Sequence, residues 1–136
     1  MSDENVETFK RGIDAYNRRD VEALVEELNP RIEWRPLLPV LLGGEAALYR
    51  GHEGARQGVR ELEEAFSELR AEPVEFRDLG ERVLTIGHLH GRGRESGIET
   101  ESPIAWLADF GEDGKVVRIR EYLDPGEALE AAGLSE

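Results

Sequence analysis

His88 and His90 stand two residues apart in the run TIGHLHGRGRESGIE, residues 85–99. On a β-strand alternate side chains share a face, which puts both rings on one side with Cβ atoms roughly 6.5–7 Å apart. Imidazole titrates near neutral pH, so the pair can do acid/base work, ligate one metal, or stand as polar residues at a damp sheet end. Spacing specifies no third ligand, and no metal is assigned. Glu121, in RIREYLD, shares a strand face with Ile119 and Leu123. A carboxylate between two apolar residues and facing a pocket is desolvated, which raises its pKa and suits proton transfer. A salt bridge to Arg35 or a strand neighbour is the competing role. Arg35 can hold a carboxylate or enolate. Trp34 beside it, Tyr16 on a helix face and Tyr49 in a covering loop can line a cavity or simply pack. His52, in YRGHEG, reads as part of a turn.

The elements that position these groups follow from periodicity. Residues 5–19 place Val6, Phe9, Ile13 and Tyr16 on one helical face. Asp20 is a good N-cap for a second helix with Val21, Leu24, Val25 and Leu28 on its buried side, stopped by Asn29–Pro30. RIEWRP, 31–36, predicts a short strand, and an apolar loop rich in proline and glycine follows it. A third helix is expected over 54–70, with Ala55, Val59, Leu62, Phe66 and Leu69 three and four apart. After Pro73 the pattern becomes strands: 74–79, 82–92, 98–110 and 115–124, joined by glycine-containing turns. PGEALEAAGL predicts a short terminal helix with Pro125 near its start. Helices first and antiparallel strands afterwards predict an α+β fold, with helices on one face of a curved sheet and a small-molecule pocket in its concavity.

Composition narrows the function classes. The 136 residues fit one domain, 1–136. A formal charge of −13 disfavours nucleic acid and anionic membrane surfaces as partners. The chain has no cysteine, which rules out disulfides, thiolate nucleophiles and Cys-based zinc sites. The longest apolar stretch, PLLPVLL, is too short to span a bilayer, and the acidic start is unlike a secretory signal, so a soluble cytoplasmic protein is expected. GRGRESG joins two strands instead of opening a helix, so it is not read as a phosphate loop.

The stretches AYNRRDVEALVEELNPRIEWRP, YRGHEGARQGVREL and GKVVRIREYLDPGEALEAAGL resemble the SnoaL-like proteins of the nuclear transport factor 2-like superfamily, over about residues 5–134. The resemblance implies a cone-shaped α+β barrel, a curved antiparallel sheet wrapped around the N-terminal helices, usually a homodimer through the convex side. It does not fix an activity, because one cone hosts many chemistries. The ketosteroid isomerase groups would fall near Gly12, Ala105 and Arg35, where none is retained, and that activity is rejected. The aspartate–arginine–aspartate set of limonene epoxide hydrolase would fall near His88, His90 and Glu121, a set still able to move protons. Polyketide cyclases of this type need little more than one acid/base residue in an apolar cavity. By the same alignment His88, His90 and Ile86 face the concavity. Ala105, Leu107 and Ile119 join Tyr16, Trp34, Arg35 and Tyr49 as expected ligand contacts. Ile104, Trp106 and Phe110 then form an outward apolar stripe, expected to be covered by a second copy. The expected ligand is a small, mostly apolar molecule, handled without a cofactor. The alternative is a non-catalytic ligand-binding or protein-interaction module.

Overall fold

The computed structural model describes residues 2–41 and 43–133. Helix α1 spans Ser2–Asn17 and α2 spans Val21–Glu26, its N-cap Asp20 accepting from the Ala23 N–H at 3.1 Å. Strand β1 (Leu28–Arg35), the short helix α3 (Leu38–Leu41) and the two-residue β2 (Tyr49–Arg50) lead into α4 (Gly51–Ala65). Four strands follow, β3 (Phe66–Asp78), β4 (Arg82–Gly93), β5 (Glu99–Phe110) and β6 (Val116–Tyr122), then α5 (Pro125–Ala131). The six strands make one curved sheet in the order β2-β1-β6-β5-β4-β3. This is the expected α+β class, with one correction to the sheet. It is mixed, because β1 runs parallel to β6 while every other pair is antiparallel. Parallel neighbours need a long crossover, and the whole of α3 to β5 supplies it.

Several element boundaries differ from the periodicity reading, with α4 beginning at Gly51 and β3 at Phe66. Leu28 and Pro30 belong to β1, whose pairing with β6 shifts register between Leu28 and Glu33. The loop after β1 contains α3 and β2. The third helix ends at Ala65, and Phe66 is already extended at φ −125°, ψ 132°. Phe66 and Leu69 carry a helix-like spacing of three, yet both are buried in a strand. The extra residue of a register shift between Phe66 and Glu68 explains this, since one unpaired residue turns a spacing of three into a shared face. A second shift lies between Pro73 and Glu75, on an edge strand where proline costs no ladder bond.

The main core lies between the inner sheet face and the helices. Phe9 and Ile13 of α1 and Ala55 and Leu62 of α4 pack towards Ile32, Leu89 and Val116. Asn17 fixes the end of α1 to β3: its Nδ2 donates to the Ala71 carbonyl at 2.8 Å and its Oδ1 accepts from the Ala71 N–H at 2.9 Å. A second apolar cluster lies on the outer face, where Ala128, Leu129 and Ala132 cover Leu84, Ala105 and Leu107. The inner face of β4 and β5 is therefore covered by the helices, and α5 covers part of the outer one. This reverses the expected outward stripe. Ile104, Trp106 and Phe110 face inward in the main core and are 0%, 6% and 8% exposed, so a contact between copies would have to use other residues. Among the described residues no helix is long and apolar enough to cross a membrane.

Gly87 sits where the bulged β3 backbone crosses closest. A Cβ there would meet the Glu72 carbonyl oxygen at 2.1 Å and the Pro73 Cα at 2.9 Å. Both obstacles are backbone and cannot swing away. Gly87→Ala is expected to lower the free energy of unfolding by more than about 2 kcal/mol. Chemical denaturation reads this directly, and a loss below about 0.5 kcal/mol would contradict the close crossing.

Candidate functional site

The curved sheet and the helices leave a cavity of about 90 Å³ between them. Its walls are mostly apolar, with Phe9, Ile13, Leu62, Leu89, Trp106 and Ile119 among them. The polar groups that line it are few: Thr8, Tyr16, Glu27, Trp34 and Glu121.

Glu121 is the most strongly held of these. The parallel register of β1 and β6 pairs Trp34 with Ile119, which brings the indole alongside the next inward residue of β6. The Trp34 Nε1–H donates to Glu121 Oε2 at 2.9 Å, and the Leu37 backbone N–H donates to Oε1 at 2.9 Å. Both donors are neutral. Burial drives the carboxyl above its ordinary range, and the two hydrogen bonds only partly oppose that rise. Trp34 holds its position because α4 has a glycine beneath it. A Cβ on Gly58 would fall 2.5 Å from the indole ring. Tyr49 packs on the other side, its ring centroid 5.5 Å away and its hydroxyl donating to Glu61. Burial and the Glu61 contact push the Tyr49 hydroxyl up to about 12.

Tyr16 reaches the cavity from the last turn of α1. Burial raises its hydroxyl well above the ordinary value and the charge of Glu121 adds to the rise, so the phenol stays protonated and can donate. Arg19 lies over its ring, with Cζ 5.8 Å from the centroid. Thr8 and Glu27 form a second polar group in the lining, both engaged by Arg11: Nη2 donates to Thr8 Oγ1 at 3.0 Å and Nε to Glu27 at 3.2 Å.

Of the residues singled out from the sequence, Glu121, Tyr16, Trp34 and Ile119 come together around this cavity. The others do not. His88 and His90 point from the outer face of β4, because Leu89 between them is the residue that lines the cavity. His90 Nε2 lies 2.7 Å from Glu72, its Nδ1 is 3.9 Å from Glu101, and the two imidazole centroids are 6.3 Å apart. The His90 contact holds the Glu72 carboxyl below its ordinary range. Ile86, Ala105 and Leu107 lie with the α5 cluster on the same outer side. Arg35 is exposed and pairs in register with Arg120. Tyr49 backs Trp34 without lining the cavity. The alternation was sound, but its face was inverted, because α5 makes the outer face as apolar as the inner one. His52, expected in a turn, lies instead in the first turn of α4, with its Nε2 2.9 Å from the Leu28 carbonyl oxygen. Among the described residues no group of three His, Asp or Glu is placed to hold a metal ion.

Sequence reasoning missed Thr8, Glu27, Gly58 and the Leu37 N–H. The last carries no side-chain signal at all. Gly58 had one, a glycine on the apolar side of α4 between Ala55 and Leu62.

Comparison with known proteins bears on the same architecture. The SnoaL-like domain profile matches residues 9–119. An NTF2-like protein from Burkholderia xenovorans LB400 is 32% identical, with 96% of this chain and 95% of that one covered at a TM-score of 0.74. An NTF2-like protein of unknown function from Burkholderia pseudomallei K96243 is 23% identical, covering 93% and 95% at 0.78. TerC, co-crystallised with polyporic acid, is 22% identical, covering 93% and 96% at 0.77. No curated protein sequence matches the chain.

The raised Glu121 carboxyl sets a pH dependence. The folded chain holds this proton more tightly than the unfolded chain. Stability contributed by Glu121 therefore falls as pH rises from about 4, the unfolded range, towards the raised folded value. The unfolding free energy of the wild type minus that of Glu121→Gln is expected to decrease over that interval and then level off. Denaturant titrations at several pH values measure it, and a difference that grows with pH would contradict the raised carboxyl.

Proposed function

The chain belongs to the SnoaL-like domain family of nuclear transport factor 2-like proteins, and from that premise we propose that it binds a small, mostly apolar molecule in its cone and carries out acid/base chemistry on it. The single observation behind this reading is Glu121, a desolvated carboxyl lining an apolar cavity with no cationic hydrogen-bond partner among the described residues. A carboxyl raised above its ordinary range can take a proton in one step and return it in another. Cyclisation, hydration and isomerisation each need that service in a site kept from bulk water. Tyr16, protonated in the same cavity, would donate to a developing oxyanion. The co-crystallisation of TerC with polyporic acid supports a small-molecule ligand.

One observation favours a second reading, a binding module without catalysis. Each Glu121 oxygen already accepts a protein hydrogen bond, an arrangement suited to a fixed orienting group. Thermal-shift screening with uncharged apolar metabolites, followed by recovery of the stabilising compound, separates the two. The catalytic reading expects a compound that wild-type protein transforms and that Glu121→Gln binds but turns over at least about 100-fold more slowly. A ligand recovered unchanged assigns the protein to binding alone. A screen in which no apolar compound stabilises the fold overturns both.

A further inference from the structure

The cavity's charge is one-sided. Its two ionisable carboxyl side chains are Glu27 and Glu121, and among the described residues no lysine, arginine or histidine lines it. Arg11 approaches only from outside, turned to Glu27. Arg19 rests over the Tyr16 ring and against its hydroxyl from the exposed side, without lining the cavity. The hydrogen bonds that hold Glu121 come from an indole and a backbone amide, so neither brings positive charge to the site. The whole chain carries −13, which repels anions before they reach the mouth.

We propose that the cone accepts an uncharged apolar molecule whose hydroxyl donates to Glu121, and that it excludes carboxylates, phosphates and other anions. This inference rests on the ligand-binding reading above and deepens it to a ligand class. Each carboxylate oxygen has a lone-pair direction beyond its protein donor, so Glu121 can still accept from a ligand hydroxyl. That hydroxyl's oxygen can in turn accept from Tyr16, whose phenol keeps its proton. An alcohol or phenol satisfies both groups at once. A ligand carboxylate satisfies neither of the acidic residues and gives up its hydration with no cation to replace it. An anion also meets the existing negative charge across a medium that screens poorly.

Benzyl alcohol and benzoate share a ring and nearly the same length, so comparing them isolates charge. Isothermal titration at pH 8 is expected to give binding of benzyl alcohol and benzoate binding weaker by on the order of 100-fold. In Glu121→Gln the gap between the two narrows, because the main negative group is gone. A melt checks that this variant folds, and the wild-type comparison decides the ligand class if it does not. Benzoate binding as tightly as the alcohol overturns this inference and leaves the small-molecule reading standing. An unchanged gap in a folded Glu121→Gln overturns the role given to Glu121. Failure of both probes to bind overturns this inference, while the ligand-binding reading is decided by the wider screen.

Discussion

A carboxylate buried without a cation is the constraint on which this site is built. Leaving an ionised group in an apolar cavity costs several kcal/mol unless it is hydrogen-bonded or neutralised. Glu121 receives two neutral hydrogen bonds, and each comes from a different element brought close by the fold. The indole needs the parallel β1–β6 register, the missing Cβ at Gly58 and the packing of Tyr49. The amide needs the chain to turn at Pro36 and place Leu37 over the end of β6. Residues far apart in sequence thus converge on one side chain, whose desolvation then supplies its reactivity.

The same sheet keeps the site rigid. Asn17 joins α1 to β3 through a two-way bond with Ala71, so Tyr16, one residue earlier, is held against the strands. Part of the outer face is covered by α5, and the apolar cavity lies in the inner concavity. The histidines stand outside this arrangement. They sit with Glu72 and Glu101 on the outer surface, a polar margin beside the α5 cluster.

Much of this was legible in the residues themselves. The helical faces of α1 and α2, the long strands and the family resemblance came from periodicity and short motifs. Glu121 was legible because Ile119 shares its strand face, although Leu123, expected on its other side, lies beyond β6 and is exposed. The inversion at His88 and His90 has a physical cause: a strand apolar on both faces has no preferred parity, and α5 makes β4 and β5 such strands. The early end of the third helix, at Ala65, has another. A bulge lets Phe66 and Leu69 share a face at a spacing that otherwise signals a helix. The Leu37 contact had no sequence signature, since it is made by backbone.

The account stands or falls on the protonation of one side chain. Carbon-13 NMR of the side-chain carboxyls across a pH titration, with the Glu121 resonance assigned by its absence in Glu121→Gln, measures it directly. A Glu121 midpoint clearly above the ordinary glutamate value of about 4.3 is the predicted result. A midpoint at or below that value would mean that the carboxylate is solvated or paired with a cation, and would contradict the site described above.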